Sequence, residues 1–245
     1  MKKESIALRI LIVGCLIVLL LVPLFMIQAL IAERQINRNV SVKEISKSWA
    51  GPQTIAGPIL TTITMGKKIK KEGNKIEKKK RNFYLPENLS VEAKVIPEKR
   101  YRGIYSTIVY KTNLKIHGSF SNQKIKEIFS DPSIKESYLS ININDPRGIQ
   151  ENVIVKWNNI EQTVIPGLKD KNIFTNGFHS DISINKDQPD SVFEINLTLN
   201  GVDEINFVPV GKNTEVKISS TWNDPSFTGN FLPSQREINE KGFTA

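Results

Sequence analysis

The side chains from which a hydrolytic or metal-dependent site would be built are scarce in this sequence and poorly spaced. Its two histidines, His117 and His179, stand in no His-x-x-x-His or Glu-bearing metal pattern. His117 falls on the polar side of an alternating run and is expected to face solvent. His179-Ser180-Asp181 holds the residue types of a nucleophilic triad, yet adjacent strand residues point to opposite faces and no nucleophile-elbow pattern surrounds Ser180. Gly51-Pro52 and Gly57-Pro58 are punctuators, not a phosphate-cradling loop. An acid–base mechanism would need two carboxylates such as Asp145, Asp181 or Glu194 in one cleft with displaced pKa values. The single cysteine, Cys15, rules out an internal disulfide and a thiolate metal cluster. These residues point to a protein that is not an enzyme and has no metal or cofactor.

The elements that would position any site begin with residues 10–32, a stretch without a charge behind Lys2, Lys3 and Arg9. At about 1.5 Å per residue it covers roughly 34 Å as a helix, enough for a hydrocarbon core of about 30 Å. The run is too long for a cleaved signal peptide. The lipobox look of Ile12-Val13-Gly14-Cys15 is contradicted by the hydrocarbon that continues to Phe25. Positive residues on the short N-terminal flank predict a cytoplasmic N-terminus and a main domain on the other side of the membrane.

Beyond the helix, periodicity is that of strands. Phe193, Ile195, Leu197 and Leu199 alternate with polar residues, as do Leu114, Ile116, Gly118 and Phe120, and Val216, Ile218, Ser220 and Trp222. Turn signals separate such runs at Asp145-Pro146-Arg147-Gly148, Asn158-Asn159, Pro166-Gly167, Gln188-Pro189-Asp190, Asn200-Gly201 and Asn223-Asp224-Pro225. Helices are expected only at 121–129, behind a Ser121 cap, and at 40–49, linking the membrane helix to the first strand. The fold class is therefore mainly β: one N-terminal transmembrane helix, then a large antiparallel β-sandwich-like domain with one or two short helices. The expected division is a cytoplasmic N-terminus (1–9), a transmembrane helix (10–32), a helical linker (33–50) and a periplasmic β-rich domain (51–245).

The net charge of +9 is concentrated in residues 67–81, which hold nine basic and two acidic side chains. With Gly66 just before it, Gly73 and Asn74 inside it and apolar runs on both sides, this segment reads as a solvated hairpin or basic loop. The alternative is electrostatic contact with anionic headgroups or an acidic envelope polymer. Nucleic acid is not an expected partner, since no aromatic residue is interleaved within the run to stack bases.

The Gly/Pro/aromatic clusters that remain carry a resemblance. Glu33-Arg34, Gly51-Pro52-Gln53 with Gly57-Pro58, Leu85-Pro86-Glu87, Arg102-Gly103-Ile104-Tyr105, Asp145 with Arg147-Gly148-Ile149 and Gly211-Lys212-Asn213 lead to a final cluster. That cluster is Trp222, Pro225-Ser226-Phe227, Gly229, Phe231-Leu232-Pro233, Arg236-Glu237 and Gly242-Phe243. In this order behind an N-terminal anchor, the chain resembles the CreD family of bacterial inner-membrane proteins. The resemblance implies one N-terminal span, a large periplasmic domain and further spans at the C-terminus, so that a chain stopping at Ala245 is expected to be a fragment. It also implies inner-membrane localisation and a role in envelope integrity, with altered tolerance to colicins or envelope stress.

Partners expected on this basis are the lipid bilayer, other envelope proteins and the missing C-terminal membrane bundle. No catalytic residue is implied. Trp222, Phe227, Phe231 and Arg236 are instead candidates for a contact surface, because aromatic residues and Arg dominate interface energetics. The competing expectation for 222–233 is turn-making and core packing. A binding module for a lipid, glycan or small molecule is the other open class, to be recognised by a deep apolar pocket among the strands.

Overall fold

The uncharged run does form a helix, and the helix does not stop where the charge begins. In the computed structural model, which describes residues 6–71, 74–150, 152–182 and 191–245, α1 (Ile6–Trp49) is continuous through both the apolar run and the expected linker. Every residue from 8 to 40 is exposed, so nothing among the described residues covers the apolar surface. It is the one helix among the described residues long and apolar enough to cross a membrane. The polar continuation, 33–49, adds a stalk of roughly 26 Å.

The strands follow in chain order. A long hairpin of β1 (Gln53–Lys71) and β2 (Asn74–Tyr84) precedes a second, of β3 (Asn88–Arg102) and β4 (Tyr105–Ser119). Then come α2 (Asn122–Ser130), β5 (Ile134–Ile143), β6 (Ile154–Trp157), β7 (Ile160–Gln162), β8 (Val164–Pro166) and β9 (Gly177–Asp181). The chain ends with β10 (Val192–Val202), β11 (Ile205–Val208), β12 (Asn213–Ser220), β13 (Glu237–Asn239) and β14 (Gly242–Thr244).

They assemble into two sheets. One runs β11-β1-β5-β9-β8, with β2 also on β1; the other runs β13-β14-β12-β3-β4-β10-β6-β7. A single core joins them: Leu60, Leu139, Ile141 and Phe178 from the first sheet with Val91, Leu114, Ile116, Ile195 and Trp157 from the second. Burying each such side chain contributes about 2 kcal/mol, and alternation along the strands places them all inward. The expected alternating runs in β4 and β10 are buried on that face, whereas Val216 and Ile218 of β12, near an edge, are half-buried.

Several details depart from the sequence reading. Pairing is antiparallel except for β1 with β11 and β3 with β12, which run parallel because long excursions separate those strands in sequence. Asn200-Gly201 is not a turn: both residues continue β10, opposite Lys111 and Tyr110. Glycine is there because a Cβ would lie 2.2 Å from the Tyr110 hydroxyl oxygen. Ser121 stands at the start of α2 but its side chain makes no cap hydrogen bond. His117 is half-buried rather than solvent-facing, with its Nδ1 enclosed and unpartnered. Of the two forms expected for residues 67–81 the structure has the hairpin and not the loop: they are mostly strand, in the outer part of the β1–β2 hairpin, with Glu72 and Gly73 outside the described residues. The turn signal at Gln188-Pro189-Asp190 also lies outside them. Asn158-Asn159, by contrast, does turn β6 into β7, with φ of 48° and 64° at the two residues.

Candidate functional site: the helix–sandwich junction

Five residues that were widely separated as signature positions or candidate carboxylates meet where α1 hands over to β1. Gln53, the first residue of β1, is fully buried, and a buried amide must satisfy its donors and acceptor internally. Its Nε2 donates to the backbone carbonyls of Asp145, at 3.0 Å, and Asn200, at 2.9 Å. Its Oε1 accepts from the Asp145 N–H at 3.1 Å. The Gln53 backbone N–H donates to the Glu204 carbonyl at 3.1 Å. One side chain thus ties the start of β1 to the end of β5 and the end of β10.

Asp145 supplies the second half of the knot. The Asp-Pro-Arg-Gly sequence makes a short 3-10 turn at Pro146–Gly148, and the Asp145 carboxylate accepts from the Arg147 N–H at 3.2 Å. The same carboxylate takes the Arg147 guanidinium at 2.9 Å (Nε) and 2.6 Å (terminal nitrogen), and the Gly51 N–H at 2.9 Å. The Arg147 hydrogen bond, helped by Gly51 and opposed by burial, pulls the Asp145 pKa down to about 2. Gly148 completes the closure: a Cβ there would stand 2.4 Å from the Asn200 carbonyl oxygen and 2.6 Å from Gln53 Nε2. Only glycine lets the three chains approach this closely.

The last turns of α1 lie along the end of the eight-stranded sheet. Ile45 joins Val109 and Val202 in a small buried cluster flanked by Val42 and Trp49. The Trp49 indole N–H donates to the Tyr110 carbonyl at 3.2 Å, and the Arg100 guanidinium sits 4.6 Å from the centre of its ring system. Arg102 pairs with Glu44 at 2.6 Å. The Tyr110 hydroxyl donates to the Glu204 carbonyl at 2.6 Å, and burial raises its pKa. The β3–β4 hairpin therefore lies beside the helix and fixes its direction relative to the sandwich.

Gly57-Pro58, joined by a cis peptide bond, sit where the β1–β5 register shifts between Ala56 and Ile59, just beyond the junction. Pro52 lies in the handover itself, its carbonyl accepting from the Asn144 side chain at 3.2 Å. The remaining signature residues form a second group, after β12. β12 runs parallel to β3, so the segment that follows Ser220 leaves the sheet at the same end on which α1 docks. Trp222 is half-buried and donates its indole N–H to the Asp224 carbonyl at 2.7 Å. Phe227 packs edge-on against Phe243 with ring centres 5.5 Å apart, and Pro225 and Pro233 are half-buried. Phe231 and Leu232 are 80% and 65% exposed, and Ser226, Arg236 and Glu237 are exposed as well.

Elsewhere the chemistry is sparse. His179 Nδ1 lies 2.7 Å from the Gly167 carbonyl, Ser180 is buried on the opposite face, and Asp181 pairs with Lys169 at 2.5 Å, so the three are not aligned. Glu194 lies 3.8 Å from both Lys115 and Lys156, with its pKa lowered chiefly by Asn196. Asp145, Asp181 and Glu194 thus each have their own partners. No group of three His, Cys, Asp or Glu side chains among the described residues is arranged to hold a metal. A cavity of about 600 Å³ opens on the eight-stranded sheet, where Glu92, Lys94, Asn113, Lys115, Asn196 and Lys217 alternate with core residues. Leu114, Ile154, Leu197 and Ile218 line it as well and most of its lining surface is apolar, but it lies open on the sheet face rather than deep among the strands.

Sequence reasoning missed Asn200, Tyr110 and Trp49 as junction partners; the one local signal was the Asp-Pro-Arg-Gly turn.

Comparison with known proteins bears out the family resemblance. A family model described as inner membrane protein CreD matches residues 5–245. The inner membrane protein CreD of Escherichia coli (strain K12) is 31% identical over 237 residues, covering 94% of this chain and 52% of that protein. The chain spans about half the length of the curated relative it matches. No solved structure matches it significantly.

Proposed function

The chain belongs to the CreD family of inner membrane proteins, and from that premise we propose that it is a non-enzymatic protein of the envelope, supporting envelope integrity and tolerance to colicins or envelope stress. In this reading residues 10–32 cross the inner membrane with the N-terminus in the cytoplasm, and the sandwich acts in the periplasm. Lys2, Lys3 and Arg9 on the short flank support that orientation.

The observation that carries the reading is the Gln53–Asp145 knot. A domain merely tethered to a membrane tolerates a flexible linker. Here an unbroken helix is keyed into the sandwich by buried hydrogen bonds and by the β3–β4 hairpin, so the orientation of the domain is coupled to that of the membrane helix. Such coupling suits a part that presents a surface to a neighbour. The surface is the 222–236 segment, whose Phe231 and Leu232 have no cover among the described residues and which emerges at the helix end of the sandwich. A membrane bundle following this domain, or another envelope protein, is the proposed partner.

Substitution of Phe231 and Arg236 in the full-length protein tests this. Expression stays normal while colicin or cell-wall antibiotic sensitivity changes; unchanged sensitivity with normal expression defeats the reading. The open cavity on the eight-stranded sheet, lined by Lys94, Lys115 and Lys217 together with Leu114, Leu197 and Ile218, favours a second reading, a binding module for a lipid, glycan or small molecule. Charge reversal at Lys94 and Lys217 that altered sensitivity, with the Phe231 variant silent, would select it.

A further inference from the structure

β1 and β2 outrun the sheet they belong to. β5 accompanies β1 only as far as Thr64, opposite Ile134, whereas β1 and β2 stay paired from Leu60 with Tyr84 out to Lys71 with Asn74. Past Met65, whose N–H still donates to the Ser133 carbonyl at 3.3 Å, the arms 66–71 and 74–79 pair only with each other among the described residues. At about 3.3 Å per residue, this two-stranded ribbon projects roughly 20 Å beyond the sheet. Gln53 fixes the opposite end of β1 at the helix junction, so positions 67–71 lie roughly 45–60 Å along the strand from where α1 enters.

Most of the basic segment forms this ribbon; Lys80 and Arg81 stand opposite Thr64 and Ile63 within the sheet, where Arg81 pairs with Asp170 at 3.3 Å. Register sets Lys70 opposite Lys75 and Lys68 opposite Glu77, while Lys79 and Lys80 continue β2 as exposed residues. Like charges directly opposite each other destabilise a strand pair. Lysines do protect an exposed edge from pairing with other chains, but alternating signs would serve that purpose without cross-strand repulsion. Lys68 already faces Glu77, and a counter-charge from outside the chain would relieve the Lys70–Lys75 repulsion. The membrane holding α1 cannot provide it, since exposed charges are screened over about 8 Å at physiological salt, far less than the distance to the junction.

We propose that the β1–β2 ribbon, residues 67–71 and 75–79, is a docking arm for an anionic glycan–peptide polymer bearing repeated carboxylates, held away from the membrane that α1 crosses. The proposal rests on the reading that residues 10–32 are embedded and the sandwich lies outside the cytoplasm.

The test uses the full chain reconstituted in phosphatidylcholine vesicles, with isolated murein sacculi as the probe and co-sedimentation as the readout. Binding by the unaltered chain weakens about tenfold or more as salt rises from about 50 to about 500 mM. In K68E/K70E/K75E/K79E binding is lost at low salt, and in the milder set with Gln at those positions it is reduced. K94E/K115E/K217E binds normally. Circular dichroism matching the unaltered chain shows that the variants are folded. Unchanged binding in the ribbon variants, equal loss in the sheet-face control, or binding to phosphatidylglycerol vesicles but not to sacculi overturns the proposal. Topology is read separately: Lys75→Cys in a Cys15→Ser background is labelled by a membrane-impermeant maleimide in cells with a permeabilised outer membrane. Failure to label overturns the periplasmic premise, and the proposal with it, whatever the sedimentation result.

Discussion

The Gln53 side chain and the Asp145 backbone form a reciprocal pair, Nε2 donating to the carbonyl at 3.0 Å and Oε1 accepting from the N–H at 3.1 Å. The first residue of β1 and a residue just beyond β5 thereby treat each other as a continuation of the sheet ladder, at the point where the strands end and the helix arrives. A side chain that mimics backbone pairing cannot be shortened without leaving three buried polar groups unmatched.

Gln53→Ala is therefore expected to destabilise the sandwich by about 3 kcal/mol, since each orphaned buried group costs about 1–3 kcal/mol and some relaxation is available. Thermal unfolding of the detergent-solubilised chain measures it. A shift of less than a degree or two would mean that water replaces the amide.

Acid should act through Asp145. Its folded pKa of about 2 lies below the ordinary 3.8, so its stabilising contribution is complete above about pH 4 and is lost as pH falls through that interval. The contribution is about 1–2 kcal/mol, discounted because the Arg147 arm is exposed. Asp145→Asn should lose most of it at pH 7 and flatten the acid limb of the stability curve below pH 4.

Gly148→Val places side-chain atoms where the Asn200 carbonyl and the Gln53 amide already sit. Overpacking of this kind costs about 1–3 kcal/mol, and here more because backbone is the obstacle. The same substitution at Gly103, where nothing lies within 4 Å of a built Cβ, tests the φ of +61° without a clash and should cost less. Equal losses in chemical denaturation would discredit the packing argument.

Trp49→Ala removes the indole bond to Tyr110 and the platform under Arg100. The sandwich core is untouched, so its unfolding midpoint should move little. The spin-label distance distribution between Arg38→Cys on the helix and Lys111→Cys on β4, in a Cys15→Ser background, should broaden. A distribution as narrow as that of the unaltered chain would mean that the helix direction is fixed without this contact.

Phe231→Ser and Phe227→Ser separate surface from structure. Phe231 is 80% exposed, and its loss should change stability by less than about 0.5 kcal/mol. Phe227 packs on Phe243, and its loss should cost about 1 kcal/mol or more. Reversal of that order in calorimetry would remove Phe231 from the proposed contact surface.

Much of the fold was legible because the signals were local. The β10 run alternates at the strand period and is buried on the expected face, the Asn158-Asn159 pair turns the chain, and the 10–32 run is helical from end to end. Asn200-Gly201 misled because turn chemistry and close approach both select glycine, and the Tyr110 ring that demands it comes from a distant part of the sequence. The linker and the membrane helix read as two elements because composition changes at Glu33, yet backbone hydrogen bonding ignores that change.

By itself the sequence determined an apolar helix of spanning length, a β-rich body without disulfides, and a concentrated basic segment, because hydropathy, periodicity and charge are properties of consecutive residues. Only the tertiary structure decided that Gly51, Gln53, Asp145 and Gly148 close one knot, and that the basic segment stands at the opposite end of the sandwich from the helix. Those are relations between segments far apart in the chain, fixed by strand register and by which buried polar groups can satisfy one another, and no local pattern encodes them.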